Sequence, residues 1–394
     1  MASNEPPSQY ATTGFIIDHG TIVEKDMGKP FPAPGAKRAI ATLQKHKTPF
    51  AIVTRDISMT EEERSRDLTK QLDLPISEKS IILPHTPFRA FVPLYKDKPI
   101  LVVGGEPARD VATSYGYTHV LTPKDITTLY THIYRTHPPT CFTTTTSATS
   151  TTPTKTPPSI PSSGDRTPLR IAAIFIFWTT RHWELDMRIV TDVLMSQAGY
   201  VGTHSRANLS HLDNAPEQQP PLYVSGAEVT GRYGRAVPRR EGEDWLGCLE
   251  ARWARVTRGK ELGYEVLGGM GCDEVTVGWA DGVLEEGARA LDGREMGPSG
   301  RAVLETVYMV GGEIWFGAES ERMAVLFDPE ARRRTIKVDP GKSGHLWSVL
   351  SFEAQTRPHH VSASLEEAVE YALDKEHRYC LKRGVEPLFP ATLR

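Results

Sequence analysis

The feature that most constrains this chain is a series of short, β-branched apolar runs, each cut off by a glycine or a hydroxyl residue and followed by a helical pattern. Gly14-Phe15-Ile16-Ile17 is the first. It is too short for a buried helix, and Asp18-His19-Gly20-Thr21 bounds it, so it reads as a strand running into a loop. Pro34-Gly35 then opens a helical pattern through Ala39, Ile40 and Leu43. A second strand, Pro49-Phe50-Ala51-Ile52-Val53-Thr54, carries a hydroxyl at its tip. The polar helix over 60–72 that follows has Thr60 as N-cap and Glu63 three residues on, the pattern of a capping box. Ile100-Leu101-Val102-Val103 ends in Gly104-Gly105, and a helix from Ala108 to Tyr115 leads to Val120-Leu121. Strands alternating with helices at this spacing predict an α/β fold with a mostly parallel sheet.

The alternation continues beyond a break in composition. Over 140–168 threonine, serine and proline dominate. Such a stretch has too little apolar area to offset chain entropy, so it is expected to be a disordered insert, as is the polar N-terminus over 1–11. Order resumes with a strongly apolar strand over 171–178 and an amphipathic helix over 183–194. A loose segment over 208–221 precedes the strand Leu222-Tyr223-Val224, and a basic, glycine-rich loop over 231–243 holds Arg232, Arg235, Arg239 and Arg240. The helix over 245–258 places Trp245, Leu249, Trp253 and Val256 on one side. The last third predicts a strand at Val275-Thr276-Val277, a helix through Leu284 and Ala290, and strands over 307–310 and 335–338. A C-terminal helix over 364–376 follows, with caps available between Ser362 and Glu366.

Composition narrows the function classes. A formal net charge of -3 supplies no electrostatic reason to bind nucleic acid or an anionic membrane. Cys141, Cys248, Cys272 and Cys380 are scattered without a CxxC pair and read as reduced thiols, not as a zinc site or a disulfide frame. No run approaches the roughly 20 apolar residues of a membrane helix. The first ten residues carry Glu5 before any basic residue, unlike a secretory signal or a transit peptide, so a cytosolic protein is the expectation. His182, His359 and His360 do not fall at metal-ligand spacing, and the Gly104-Gly105 and Gly268-Gly269 pairs lack phosphate-loop spacing.

The order of the pieces resembles the haloacid-dehalogenase-like hydrolases. The branch it looks most like is class IIA, with a large α/β cap, and within it the cat-eye-syndrome-critical-region-like proteins. The segments that carry the resemblance include His85-Thr86-Pro87-Phe88, the run over 100–105 with 111–116, and 175–192 with its His182-Trp183. Tyr223-Val224-Ser225, 253–264 and 307–311 complete them. The resemblance implies a Rossmann-like core over 12–84 and 262–394 with a cap over 85–261. It also suggests a link to mitochondria and glycerophospholipid metabolism.

In that family a strand-tip aspartate attacks phosphorus and a second aspartate two residues later is the acid and base. A hydroxyl on the next strand holds the phosphoryl group, and a lysine and acidic groups steady charge and magnesium. Aligning Gly20-Thr21 with the family puts Ile17 at the nucleophile and His19 at the acid/base position. Deleting one residue instead makes Asp18 the nucleophile and removes the second aspartate. Thr54 matches the phosphate-binding hydroxyl, but Arg55-Asp56-Ile57 replaces the glycines that follow it in the family. Gly269 stands at the lysine and Gly312 at the magnesium ligand, with Glu313 one position on. The leading expectation is a catalytically degraded hydrolase with a binding or scaffold role and no cofactor. The alternative is a magnesium-dependent phosphatase for a small phosphorylated ligand, using Asp18 as nucleophile, Thr54 for phosphate, and Asp18 with Glu313 (or Asp56) for the metal. A structural reading of Asp18 stands beside these, as a strand-end aspartate closing an Asx turn.

Overall fold

The computed structural model describes residues 12–26, 29–54, 59–134, 168–178, 180, 182–209, 219–225, 241–267, 274–292, 304–311, 333–338 and 360–383. The chain divides into two compact units, Met1–Pro87 with Gly268–Arg394, and Phe88–Leu267.

The first unit opens with β1 (Thr12–Asp18). Its period-two pattern sends Phe15 and Ile17 to one face of the sheet and Ile16 to the other, and all three are fully buried. A short antiparallel ribbon of β2 (Val23–Asp26) and β3 (Lys29–Pro32) follows. Helix α1 (Ala36–Lys45) buries Ala36, Ala39, Ile40 and Leu43, one stripe at helical spacing. After β4 (Phe50–Val53), α2 (Glu61–Leu72) starts on the expected capping box: Thr60 N donates to Glu63 Oε2 at 2.8 Å and Glu63 N to Thr60 Oγ1 at 3.2 Å. The two-residue strand β5 (Ile81–Ile82) closes this part.

The second unit runs α3 (Val92–Tyr95), β6 (Ile100–Val103), α4 (Gly105–Tyr115), β7 (Val120–Leu121), α5 (Pro123–Leu129) and β8 (Ala173–Ile176). It continues through α6 (Trp183–Met195), β9 (Leu222–Ser225), α7 (Glu241–Thr257) and β10 (Glu265–Leu267). Its five strands are parallel in the order β10-β9-β8-β6-β7. Leu101, Val103, Ile174 and Ile176 pack with α6 and α7 around Trp245 and Trp253. Ile100, Val102, Ala173 and Phe175 face the other core, with α4, Phe88 and Tyr117. Gly104 has φ +141°, and a Cβ there would lie 2.5 Å from Ala108 Cβ, so the turn from β6 into α4 requires glycine.

The chain then returns to the first unit with α8 (Glu274–Asp292), β11 (Leu304–Gly311), β12 (Arg333–Val338), β13 (His360–Ser362) and a last helix, α9 (Leu365–Arg383). The resulting sheet has the order β13-β12-β11-β1-β4-β5, parallel throughout, with β1 inside it. α1, α2 and α9 cover one face, and α8 covers the other with Val277, Ala280 and Leu284. This is the α/β architecture expected from the sequence, a Rossmann-like parallel core with an inserted α/β unit.

Several details differ from expectation. Val275-Thr276-Val277 is the first part of α8, not a strand: β-branching suggested extension, but Val277, Ala280 and Leu284 share one buried helical stripe. Residues 241–243 belong to α7 and not to a loop. The segment 262–267, assigned above to the core, belongs to the inserted unit, where 265–267 form β10 and pair with β9, whereas 85–87 belong to the first unit. Helix α9 runs on to Arg383, starting where Glu367 N donates to Ser364 Oγ at 3.2 Å. Residues 1–11, most of the Thr/Ser/Pro-rich segment, the four loop arginines, Asp56, Gly269 and Glu313 lie outside the described residues.

Candidate functional site at the strand tips

All strands of the six-stranded sheet point the same way, so their carboxyl ends share one edge, where ligands of open α/β sheets are held. Asp18 ends β1 and is paired in register with Val53, the last residue of β4. Thr54 therefore follows one step beyond Asp18 on the neighbouring strand. On its other side β1 pairs with β11, Ile17 opposite Val310, and β11 ends at Gly311. Sequence reasoning singled out Asp18 and Thr54, and the fold brings them to adjacent strand tips.

The local geometry of Asp18 is set by the turn after it. Asp18 caps a 3-10 turn over His19–Thr21, and its Oδ1 accepts from Gly20 N at 3.1 Å. Thr21 Oγ1 donates to the Asp18 carbonyl at 2.7 Å, closing the turn from the other side. A Cβ at position 20 would lie 3.3 Å from Asp18 Oδ2, so the missing side chain at Gly20 gives the carboxylate its room. Ile17, the nucleophile position in the other alignment, is fully buried in the core cluster with Phe15 and Ile22.

Thr54 is 4% exposed, and its N–H donates to the Ile82 carbonyl at 3.0 Å. The same unit buries polar side chains that sequence reasoning did not single out. Glu61, at the first turn of α2, accepts from Thr86 Oγ1 at 2.7 Å, and Leu83 N donates to the same hydroxyl oxygen at 2.8 Å. Arg64 is nearly buried and donates to Asp67 Oδ2 at 3.3 Å, and His85 is wholly buried. The only signal was the His85-Thr86-Pro87 segment, noted for family likeness alone. Glu61 stands in a run of three glutamates where an exposed and a buried carboxyl look alike.

A magnesium site needs several oxygen ligands, usually with at least one carboxylate. Of the residues that end the strands of this sheet, Asp18 alone is a carboxylate. Among the described residues no three His, Cys, Asp or Glu side chains converge as metal ligands. The described donor set does not compose a magnesium site, and Glu313 and Asp56 lie outside it. His182 is the N-cap of α6 in the inserted unit, without a side-chain capping bond.

Among the described residues of that unit, the most strongly perturbed carboxyl is that of Asp186. Asp186, 4% exposed, accepts from Thr180 Oγ1, and burial pushes its carboxyl up to about 6, against 3.8 in the open chain. Between these values the folded state holds a proton that the unfolded state has lost, so Asp186 reduces stability as pH rises through that window. Asp186→Asn is therefore expected to be more stable than wild type at pH 7, by on the order of 2 kcal/mol, with the advantage gone near pH 4. Denaturant titrations of both proteins at pH 4, 5, 6 and 7 measure this. A pH-independent difference would remove burial of the charge as the cause.

Comparison with known proteins agrees with the geometry. Residues 16–118 match the family model for haloacid dehalogenase-like hydrolases. A mitochondrial hydrolase of Saccharomyces cerevisiae is 26% identical over 214 residues, which cover 50% of this chain and 51% of the yeast protein. A cardiolipin synthase (CMP-forming) / mitochondrial hydrolase fusion protein of Schizosaccharomyces pombe is 28% identical over 229 residues, 57% of this chain and 34% of the fusion. The chain thus spans about half the length of the first relative and a third of the second. A hypothetical protein of Pyrococcus horikoshii OT3 shares the fold over 91% of this chain and 99% of its own, with a TM-score of 0.51 at 14% identity. No helix among the described residues is long and apolar enough to cross a membrane. Residues 16–118, which carry β4, Thr54 and the end of β1, are thus similar to the haloacid dehalogenase-like hydrolases.

Proposed function

We propose that the hydrolytic site of this chain is degraded and that the protein acts by binding, as a ligand-holding or scaffold protein, without phosphate-ester turnover. The observation that carries this reading is the state of Asp18, whose carboxylate is turned onto Gly20 N at 3.1 Å. Attack on phosphorus needs a carboxylate oxygen aimed at the substrate and a second acid/base two residues on. Counted from Asp18, that second position is Gly20; counted from the buried Ile17, it is His19. Thr54 keeps the hydroxyl at the neighbouring tip, so a small phosphorylated molecule is the ligand class this edge would hold.

The second reading is a magnesium-dependent phosphatase working through Asp18, with Thr54 on the phosphoryl group and Glu313 or Asp56 assisting the metal. The register of Asp18 with Val53, which sets Asp18 beside Thr54, favours it. The relatives' names support a mitochondrial location, and the cardiolipin synthase in the name of the fusion protein supports a tie to glycerophospholipid metabolism.

Calorimetric titration with inorganic phosphate tests the binding half of the proposal. The wild type is expected to bind it saturably, and Thr54→Val to bind about tenfold more weakly, the worth of one hydrogen bond to a charged group. Absence of binding, or equal binding by both proteins, would remove the strand tips as a ligand site. The hydrolytic half is tested by turnover with and without magnesium.

A further inference from the structure

We infer that a cavity at the opposite edge of the six-stranded sheet, where β4 and β5 begin, binds a small amphipathic organic anion. The cavity has a volume of about 350 Å³, within the range of sites for small molecules. Phe50, the first residue of β4, lines it, so the length of the strand separates it from Thr54. It is a different place from the strand tips and does not depend on how they function.

Three observations define what it would hold. The first is Thr48, which lines the cavity and is 6% exposed. Its Oγ1 is buried and has no hydrogen-bond partner among the described residues. A buried hydroxyl left unmatched is costly, and a turn of the Thr48 side chain toward the cavity would let a ligand oxygen meet it and remove that cost. The second is the charge at the rim. Lys79 is held by Glu286 at 2.7 Å, which cancels its charge. Lys47, exposed on the same rim, has no ion pair among the described residues. One positive charge not held in an ion pair favours an anionic head. The third is the wall formed by Pro49, Phe50 and Val283, which suits an apolar body. The anionic head then sits at Lys47 and Thr48 and the body lies on Phe50 and Val283. Such a head comes either from a carboxylate or from a phosphoryl-type monoester, and the two share this chemistry.

Benzoate and phenylphosphonate carry the same ring with different heads, and neither offers a bond for a phosphatase to cleave. Calorimetric titration of the full chain with each distinguishes the two sources, and saturable binding of at least one is expected. Lys47 has φ +53°, a conformation that glycine adopts freely, so Lys47→Gly removes the ammonium without backbone strain. That variant should bind about tenfold or more weakly, as expected for loss of a charge-assisted hydrogen bond. Thr48→Val should also weaken binding, and Asp18→Asn and Thr54→Val should leave it unchanged. Failure of both probes to saturate at millimolar concentration would overturn the proposal. So would unchanged binding by Lys47→Gly, or binding lost with Thr54→Val, which would move the anion to the strand tips.

Discussion

Trp253→Ala is expected to remove about 3–5 kcal/mol from the inserted unit, so that amides of β8 exchange at least a hundredfold faster with solvent. Trp253 is 1% exposed and packs in one cluster with Trp245, Leu249 and the β8 residues Ile174 and Ile176. Its ring fills the space between α7 and the sheet, and its Nε1 donates to the Glu261 carbonyl at 3.0 Å, tying the helix to the segment before β10. Alanine would lose the packing, open a cavity and leave that carbonyl without its donor. Trp253→Phe separates these effects: it keeps most of the packing and should cost clearly less. Equal protection of β8 in wild type and Trp253→Ala would show that this cluster does not hold the unit together.

Thr86→Val is expected to destabilise the first unit by about 2–4 kcal/mol, although it changes no volume to speak of. The Thr86 hydroxyl is the meeting point of two buried groups, the Glu61 carboxyl at 2.7 Å and Leu83 N at 2.8 Å. Valine leaves both short of a partner in a place where water does not reach, since Thr86 is 2% and Glu61 3% exposed. Thr86→Ser retains the hydroxyl and should cost less than about 1 kcal/mol. The same change should reach the candidate site. Thr54 N is bonded to the Ile82 carbonyl, one residue before Leu83, so loosening this turn should also weaken phosphate binding. Denaturation midpoints and phosphate titrations of the valine and serine variants measure both effects. Stability and affinity equal to wild type in Thr86→Val would leave the buried group as mere filling.

Much of the fold was readable because local patterns agreed with tertiary burial. Phe15, Ile16 and Ile17 are apolar on both faces of an inner parallel strand, which is why an unbroken apolar run marked β1. Thr60 and Glu63 marked the start of α2 because capping is local chemistry. The failures came where local and global signals part. Val275 and Val277 favour a strand by branching alone, and only the spacing to Ala280 and Leu284 reveals α8. β10 has two of its three residues exposed, so its sequence carries little hydrophobic pattern, and pairing with β9 is what defines it. β5 is two residues long, below any useful period.

The site divided in the same way. Asp18 and Thr54 were readable because strand ends are marked by composition. The turn that engages Asp18 followed from a short-range rule for aspartate before glycine. The Glu61–Thr86 contact joins residues 25 apart in sequence, and no local pattern distinguishes it from a solvated helix start.

Loss of hydrolysis is the central claim, and the direct measurement is release of phosphate from a broad panel of phosphate esters, with and without magnesium, by wild type and Asp18→Asn. The account predicts folded proteins with no magnesium-dependent release above buffer and the same trace for both. Magnesium-dependent turnover by the wild type that Asp18→Asn abolishes, with its fold intact, would contradict it and make Asp18 a working nucleophile.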